Sequence, residues 1–113
     1  MTTNQKVSSS YNGQLRVRVC GILIENNCLL LAQHKPFGAA GELWIPPGGG
    51  MEFGESAQQC LIREFKEETN LNVTVGKLLF VHETLRKPIH SIELFFELID
   101  FSGKLKTGHD PEL

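Results

Sequence analysis

With 113 residues, 41% of them hydrophobic and 21% charged, the chain has material for one compact domain and not for a second core. A formal net charge of −2, with lysines and arginines scattered, excludes the basic footprint of a protein that grips nucleic acid by its phosphates, so no polymeric nucleic acid is expected as a partner. There is no signal-peptide core and no run near the ~20 apolar residues that span a bilayer, and three cysteines, Cys20, Cys28 and Cys60, are an odd set without CxxC spacing; a reducing, cytoplasmic setting away from membranes is expected.

Residues 1–14 are polar and read as a flexible arm or an early strand, so the domain is taken as 15–113. Leu15 to Ile24 alternates at first, Arg16 and Arg18 against Val17 and Val19, and then turns apolar, as a strand does when it passes from a half-exposed to a buried setting. Glu25-Asn26-Asn27 predicts a turn, and Cys28 to Gln33 the returning strand of a hairpin. Lys35 to Glu42, rich in Gly and Pro, reads as a surface loop, followed by a short strand over Leu43 to Ile45. Pro46-Pro47-Gly48-Gly49-Gly50 cannot be helix and fits a central strand poorly; it reads as a bare turn whose main chain could meet a phosphate or a metal ion at close range.

Ser56 with Gln59 three residues on is a capping box, which starts a helix at Ser56 or Ala57. Ala57, Leu61 and Phe65 give its buried stripe, and Asn70 stands where a left-handed C-cap belongs. Asn72 to Val81 and Ile89 to Phe101 read as strands joined by a charged connection, Glu83 to Lys87, and Ser102 to Leu113 reads as loop. Strands on both sides of one central helix imply an α/β arrangement with a mixed sheet.

Within the helix, Glu64, Glu67 and Glu68 are crowded. At about 100° per residue, Glu67 lies roughly 60° to one side of Glu64 and Glu68 roughly 40° to the other, so the three carboxylates share one sector. They repel one another and stand in the last two turns, where the helix dipole also disfavours negative charge. Arg63 and Lys66 could neutralise part of this charge on an ordinary solvated face. The alternative is a set of hard oxygen donors for Mg²⁺ or Mn²⁺ beside the glycine turn.

The segment GGMEFGESAQQCLIREFKEETNL, Gly49 to Leu71, resembles the Nudix box, G-x5-E-x7-R-E-U-x-E-E-x-G-U, where U is a bulky apolar residue. Gly49, Glu55, Arg63, Glu64, Glu67 and Glu68 occupy its fixed glycine and charged positions, Phe65 and Leu71 its apolar ones, and Asn70 replaces the second fixed glycine. The resemblance implies a Nudix-like α/β/α sandwich with a mixed β-sheet, here lacking the strand and C-terminal helix with which such domains usually end; a missing tail would leave an apolar patch that invites self-association.

It further implies a Mg²⁺- or Mn²⁺-dependent pyrophosphohydrolase that cleaves the diphosphate linkage of a nucleoside diphosphate derivative, ADP-ribose-like or a nucleoside triphosphate, by water attack on phosphorus. Glu64, Glu67 and Glu68 are the expected ligands, with the Gly49 carbonyl added by the family pattern. Arg63 is expected to orient a glutamate rather than touch the ion, with Glu55 its partner. Gly48, Gly49, Gly50, Glu55, Arg18 and His34 are the candidate substrate contacts. Glu112 is the preferred general base, ahead of Asp110, Glu83 and Glu52. His82, His90 and His109 read as packing or surface histidines. The competing class is a non-catalytic Nudix-type domain that senses a nucleotide, and a homodimer is a further expectation.

Overall fold

The computed structural model describes residues 13–34 and 43–106. The expected loop Lys35 to Glu42, the arm before residue 13, and Asp110, Glu112 and His109 lie outside the described residues.

In chain order the elements are β1 (Leu15–Ile22), β2 (Ile24–Glu25), β3 (Cys28–Leu29), β4 (Ala32–His34), β5 (Leu43–Ile45), β6 (Gly48–Gly50), helix α1 (Ala57–Thr69), β7 (Asn72–Arg86) and β8 (Ile89–Ser102). Four of the strands form one mixed sheet in the order β6-β1-β8-β7. β1 runs parallel to β8, Arg18 opposite Glu93 and Val19 opposite Leu94. β6 and β7 pair antiparallel to β1 and β8 respectively.

Three expectations are corrected. Leu15 to Ile24 and Cys28 to Gln33 do not form one hairpin: β1 spends its hydrogen bonds on β6 and β8, and only Ile24–Glu25 pairs with Cys28–Leu29, across Asn26 and Asn27, both at positive φ. The rest of the second segment, as β4, pairs instead with β5. The glycine turn is also a strand. Gly48 to Gly50 form the edge strand β6, where Pro46 and Pro47 just before it cost no ladder bonds on an outer side. None of these three glycines has a positive φ, so it is the lack of a side chain, not left-handed freedom, that the site uses. Finally, the charged stretch Glu83 to Arg86 continues β7, and the connection shrinks to Lys87-Pro88, whose peptide is cis.

The helix follows its sequence signals closely. Ser56 Oγ accepts the Gln59 N–H and Gln59 Oε1 accepts the Ser56 N–H, the reciprocal cap that fixes the first turn. Asn70 ends the helix at φ 67°, its N–H bonded to the Lys66 carbonyl, and its side chain donates to the Lys104 carbonyl at 3.0 Å. Asparagine in place of glycine thus ties the helix end to the chain leaving β8, a bond glycine could not make.

One face of α1 supplies Cys60, Leu61 and Phe65 to a core completed by Val19, Leu23, Leu71, Val73 and Leu98. Ala57, expected in the buried stripe, is only partly buried; Cys60 takes the deep position beside Leu61. The helix covers the sheet face that bears Val19 and Leu94. Since neighbours along a strand alternate, Arg16, Arg18 and Cys20 look to the other face.

Candidate active site

The site forms where the N-terminal approach to α1 passes the outer edge of β6. Pro47 accepts a hydrogen bond from the Gly21 N–H and Met51 donates to the Val17 carbonyl, which locks β6 onto β1 at both ends. With the antiparallel alternation, the polar groups of Gly48 and Gly50 then turn away from β1 and toward the helix. There the Gly48 N–H donates to Glu68 Oε2 at 3.3 Å and Arg63 donates to the Gly50 carbonyl at 3.4 Å.

Gly49 is the tightest point. A Cβ on this residue would fall on the Glu64 carboxylate, with an oxygen 2.5 Å away. The carboxylate therefore rests in the space that any other residue would fill. Beneath it Cys60, fully buried, brings its Sγ to 3.5 Å from the Gly50 carbonyl and 3.7 Å from that of Gly49. Burial, reinforced by the charge of Glu55, pushes the Cys60 thiol up to about 12, so it stays a protonated donor.

Arg63 holds the carboxylates in register. Its Nε and Nη2 donate to the two oxygens of Glu55 at 2.8 and 3.0 Å, Nη1 donates to Glu64 at 2.9 Å, and Glu67 and Glu52 lie at 3.5 and 3.8 Å. The two-pronged bond from Arg63 carries the Glu55 carboxyl down to about 2 against the opposing effect of burial, with the Glu52 N–H assisting. The same bond raises the guanidinium above its ordinary value. Arg63 is thus bonded at once to Glu55 and to Glu64.

The carboxylates differ in freedom. Glu64 and Glu68 are partly buried, and Oε1 of Glu68 is sealed from solvent. The Glu67 side chain is 53% exposed, more than three times the exposure of Glu64 at 16%. In the conformation described Arg63 draws Glu64 and Glu67 toward itself, and among the described residues no three His, Cys, Asp or Glu side chains are grouped tightly enough to hold an ion. The donor set nonetheless suits a hard cation: carboxylate oxygens on two successive turns, the cradle over Gly49 that leaves room for one of them, and main-chain carbonyls at the same edge.

The remaining candidates fall elsewhere. Arg18 lies opposite Gly50 in the β1–β6 ladder, on the sheet face away from α1, with Arg16 reaching back so that its guanidinium covers Gly50. His34 ends β4 opposite Leu43 and is not in the four-stranded sheet. Glu83 pairs with His90 at 2.7 Å far along β7, and Glu52 sits beside Arg63.

Two features were missed in the sequence. Cys60 was read only as a free thiol, although its spacing before Leu61 and four residues after Ser56 marks an inward position. Glu93 interrupts the apolar run Ile92 to Phe96 and is 7% exposed, yet it went unnoticed. Burial works to raise its carboxyl, but hydrogen bonds from Ser91, His82 and Thr84 prevail and hold it below the ordinary range. The other two thiols, Cys20 and Cys28, are buried and exposed respectively, and burial pushes Cys20 up to about 11 despite Arg18. No helix among the described residues is long and apolar enough to cross a membrane.

The NUDIX domain model matches residues 14–113. Among relatives, the ADP-ribose pyrophosphatase of Methanocaldococcus jannaschii is 40% identical over 98 residues, covering 83% of this chain and 56% of that protein. The CTP pyrophosphohydrolase of Escherichia coli is 35% identical over 65 residues, covering 58% of this chain and 48% of that one. The solution structure of the E. coli ORF135 protein superposes with a TM-score of 0.73 at 29% identity, covering 88% of this chain and 69% of that one. The chain belongs to the Nudix family, on a model that matches nearly its whole length and on the mixed sheet and single helix it shares with such structures. It spans about half the length of the two relatives described.

Proposed function

We propose that the chain is the catalytic domain of a Nudix pyrophosphohydrolase acting on a nucleoside diphosphate derivative. The observation that carries this reading is the Glu64 carboxylate seated over the bare backbone of Gly49, with Glu67 and Glu68 on the same edge and Arg63 bonded to Glu55 and Glu64. Glu64, Glu67 and Glu68 would hold Mg²⁺ or Mn²⁺, with the outward-turned Gly48 carbonyl better placed to join them than the expected Gly49 carbonyl, which faces Val19 in the β1 ladder; the ion when bound supplies positive charge against the pyrophosphate oxygens and favours ionisation of water.

The chain's own groups do the positioning. Arg63 keeps Glu64 from rotating into solvent, the Gly48 N–H steadies Glu68, and Cys60 supports the carbonyls of the glycine strand. Water attacks one phosphorus, the anhydride P–O bond breaks, and the leaving phosphate takes the electron pair. An acidic side chain accepts the water's proton, with Glu112 the first candidate. Arg18 and the Arg16 guanidinium beside Gly50 supply positive charge for the substrate's phosphates, and His34 is kept in this reading as a further substrate contact.

The names of the relatives suggest ADP-ribose and CTP as the first substrates to offer. A cytoplasmic setting fits three free thiols, and a homodimer fits the apolar outer side of β7. Incubation with Mg²⁺ and a panel containing both nucleotides is expected to release phosphate-bearing products, read by chromatography. Glu67→Gln is expected to lower kcat by at least about a hundredfold while moving stability by less than about 0.5 kcal/mol, since an exposed pair with Arg63 is exchanged for relief of repulsion. Turnover by Glu67→Gln at the parent rate would remove this residue from the ligand set.

A further inference from the structure

A second polar constellation lies on the sheet face away from α1. The ladder registers align Gly50, Arg18, Glu93 and His82 in one row across β6, β1, β8 and β7. Cross-strand partners share a face, so the three side chains project together. Glu93 is locked at the centre: Oε1 accepts from His82 Nδ1 at 2.9 Å and from Thr84 Oγ1 at 3.1 Å, and Oε2 accepts from Ser91 Oγ. Three groups from two strands, Glu93, Thr84 and Ser91, thus serve to fix one imidazole, whose side chain is itself 65% exposed.

Its chemistry follows from the partner. Glu93 already accepts from Ser91 and Thr84, so at Nδ1 it meets the ring's proton, and the uncharged form of the imidazole then turns Nε2 outward as an acceptor. One row along the strands, Phe80 stacks on Phe95 with centroids 4.4 Å apart and planes within 14°, and Phe80 is half exposed. An acceptor nitrogen beside an aromatic platform is a combination that receives a flat ring bearing an N–H donor.

Distance supplies the link to the site. Three inter-strand spacings, about 14 Å, separate the glycine strand from β7 along this row. That is comparable with the span from diphosphate to the far edge of the base in an extended nucleotide, and Arg18 stands between the two ends.

We propose that His82, positioned by Glu93 and set beside the Phe80–Phe95 stack, is a specificity residue that accepts a hydrogen bond from the exocyclic amine of the substrate's nucleobase. This inference rests on the nucleotide reading given above. It places the diphosphate at the β6 edge and the base over β8 and β7. Amino-bearing bases are favoured over their keto counterparts, because a carbonyl set against the Nε2 lone pair would leave two acceptors facing each other.

The test compares ADP-ribose with inosine diphosphate ribose, and CTP with UTP, as substrates of the parent, His82→Ala and His82→Gln, all with Mg²⁺. His82 is exposed, so neither substitution threatens the fold, and unfolding midpoints verify this. The parent is expected to favour the amino member of each pair, and His82→Ala to raise KM about three- to tenfold for that member alone, with kcat nearly constant, the worth of one neutral hydrogen bond. His82→Gln, which keeps an acceptor oxygen, is expected to restore much of the difference. Equal KM changes for both members of a pair, or none, would overturn the assignment.

Calorimetric titration with ADP and IDP makes the same comparison without turnover. If no nucleotide is hydrolysed while His82→Ala still erases a preference for ADP, the base subsite stands and the hydrolysis reading fails. If turnover is normal and ADP and IDP bind alike to the parent, hydrolysis stands and the subsite fails.

Discussion

Arg63 shows how much of the site one side chain organises. From sequence, three glutamates on adjacent turns read as mutual repulsion awaiting a cation, with Arg63 as a partial neutraliser. In the structure this arginine contacts Glu52, Glu55, Glu64 and Glu67, and a single guanidinium offsets much of that strain before any ion arrives. The pairing with Glu55 was legible because charge-assisted bonds of this kind are few in type and the spacing was fixed. Glu93 was not legible: its worth depends on His82 and Thr84 from another strand, which only the β7–β8 register brings to it.

The Glu55 carboxyl sits near 2 in the folded chain against an ordinary value of about 4.5. A depressed value stabilises the fold fully above about 4.5, and that contribution fades as pH falls toward 2. Arg63→Ala is therefore expected to cost about 1–3 kcal/mol near neutrality, with the gap to the parent narrowing as the medium is acidified through this window. Unfolding midpoints from pH 2.5 to 7 measure it; a gap independent of pH would mean the pair contributes nothing in its ionised form.

Among the elements, α1 was the easiest to read and β6 the hardest. A capping box, an apolar stripe and a left-handed cap are local signals, and all lie within sixteen residues of one another. Three glycines carry no pattern of their own, and their extended pairing with Val19 and its neighbours is imposed by β1. The two-residue pairing of β2 with β3, and the shift of β4 to β5, escaped for the same reason: partner choice among short strands is decided by tertiary context.

The glycine strand also separates packing from chemistry. A Cβ at Gly48 would strike the Val19 carbonyl and the Cys20 Cα, both main-chain atoms that cannot yield. Gly48→Ala is expected to cost about 1–3 kcal/mol of stability by overpacking. At Gly49 the obstacle is the tip of a flexible side chain, so Gly49→Ala is expected to fold with a loss under about 1 kcal/mol yet to lose roughly a hundredfold in turnover as Glu64 is pushed aside. Paired denaturation and kinetic measurements read both; equal activity losses at equal stability would refute the distinction.

At the scale of the molecule, the asymmetry of the sheet dominates. The four-stranded sheet has α1 on one face, and its long outer strand β7 leaves Leu78, Leu79, Val81 and Leu85 exposed. A long apolar edge invites another chain. Concentration-dependent dimerisation is expected in sedimentation velocity runs, and Leu85→Lys is expected to shift the boundary toward monomer; a parent that sediments as monomer at every concentration would discard the homodimer. The α/β class and mixed sheet were legible because strands bracket one helix, whereas the strand order was not, since the parallel pairing of β1 with β8 joins segments far apart in the chain.

The three thiols divide into one accessible group and two hidden ones, Cys28 outside and Cys20 and Cys60 within. The inner pair are shielded twice, by lack of access and by remaining almost wholly un-ionised near neutrality, and a maleimide dye needs both access and thiolate. Such a dye should fasten first to a single address on each molecule. Any slower uptake counts those copies whose centre has come apart, which makes the chain's own sulfurs a stopwatch for its opening.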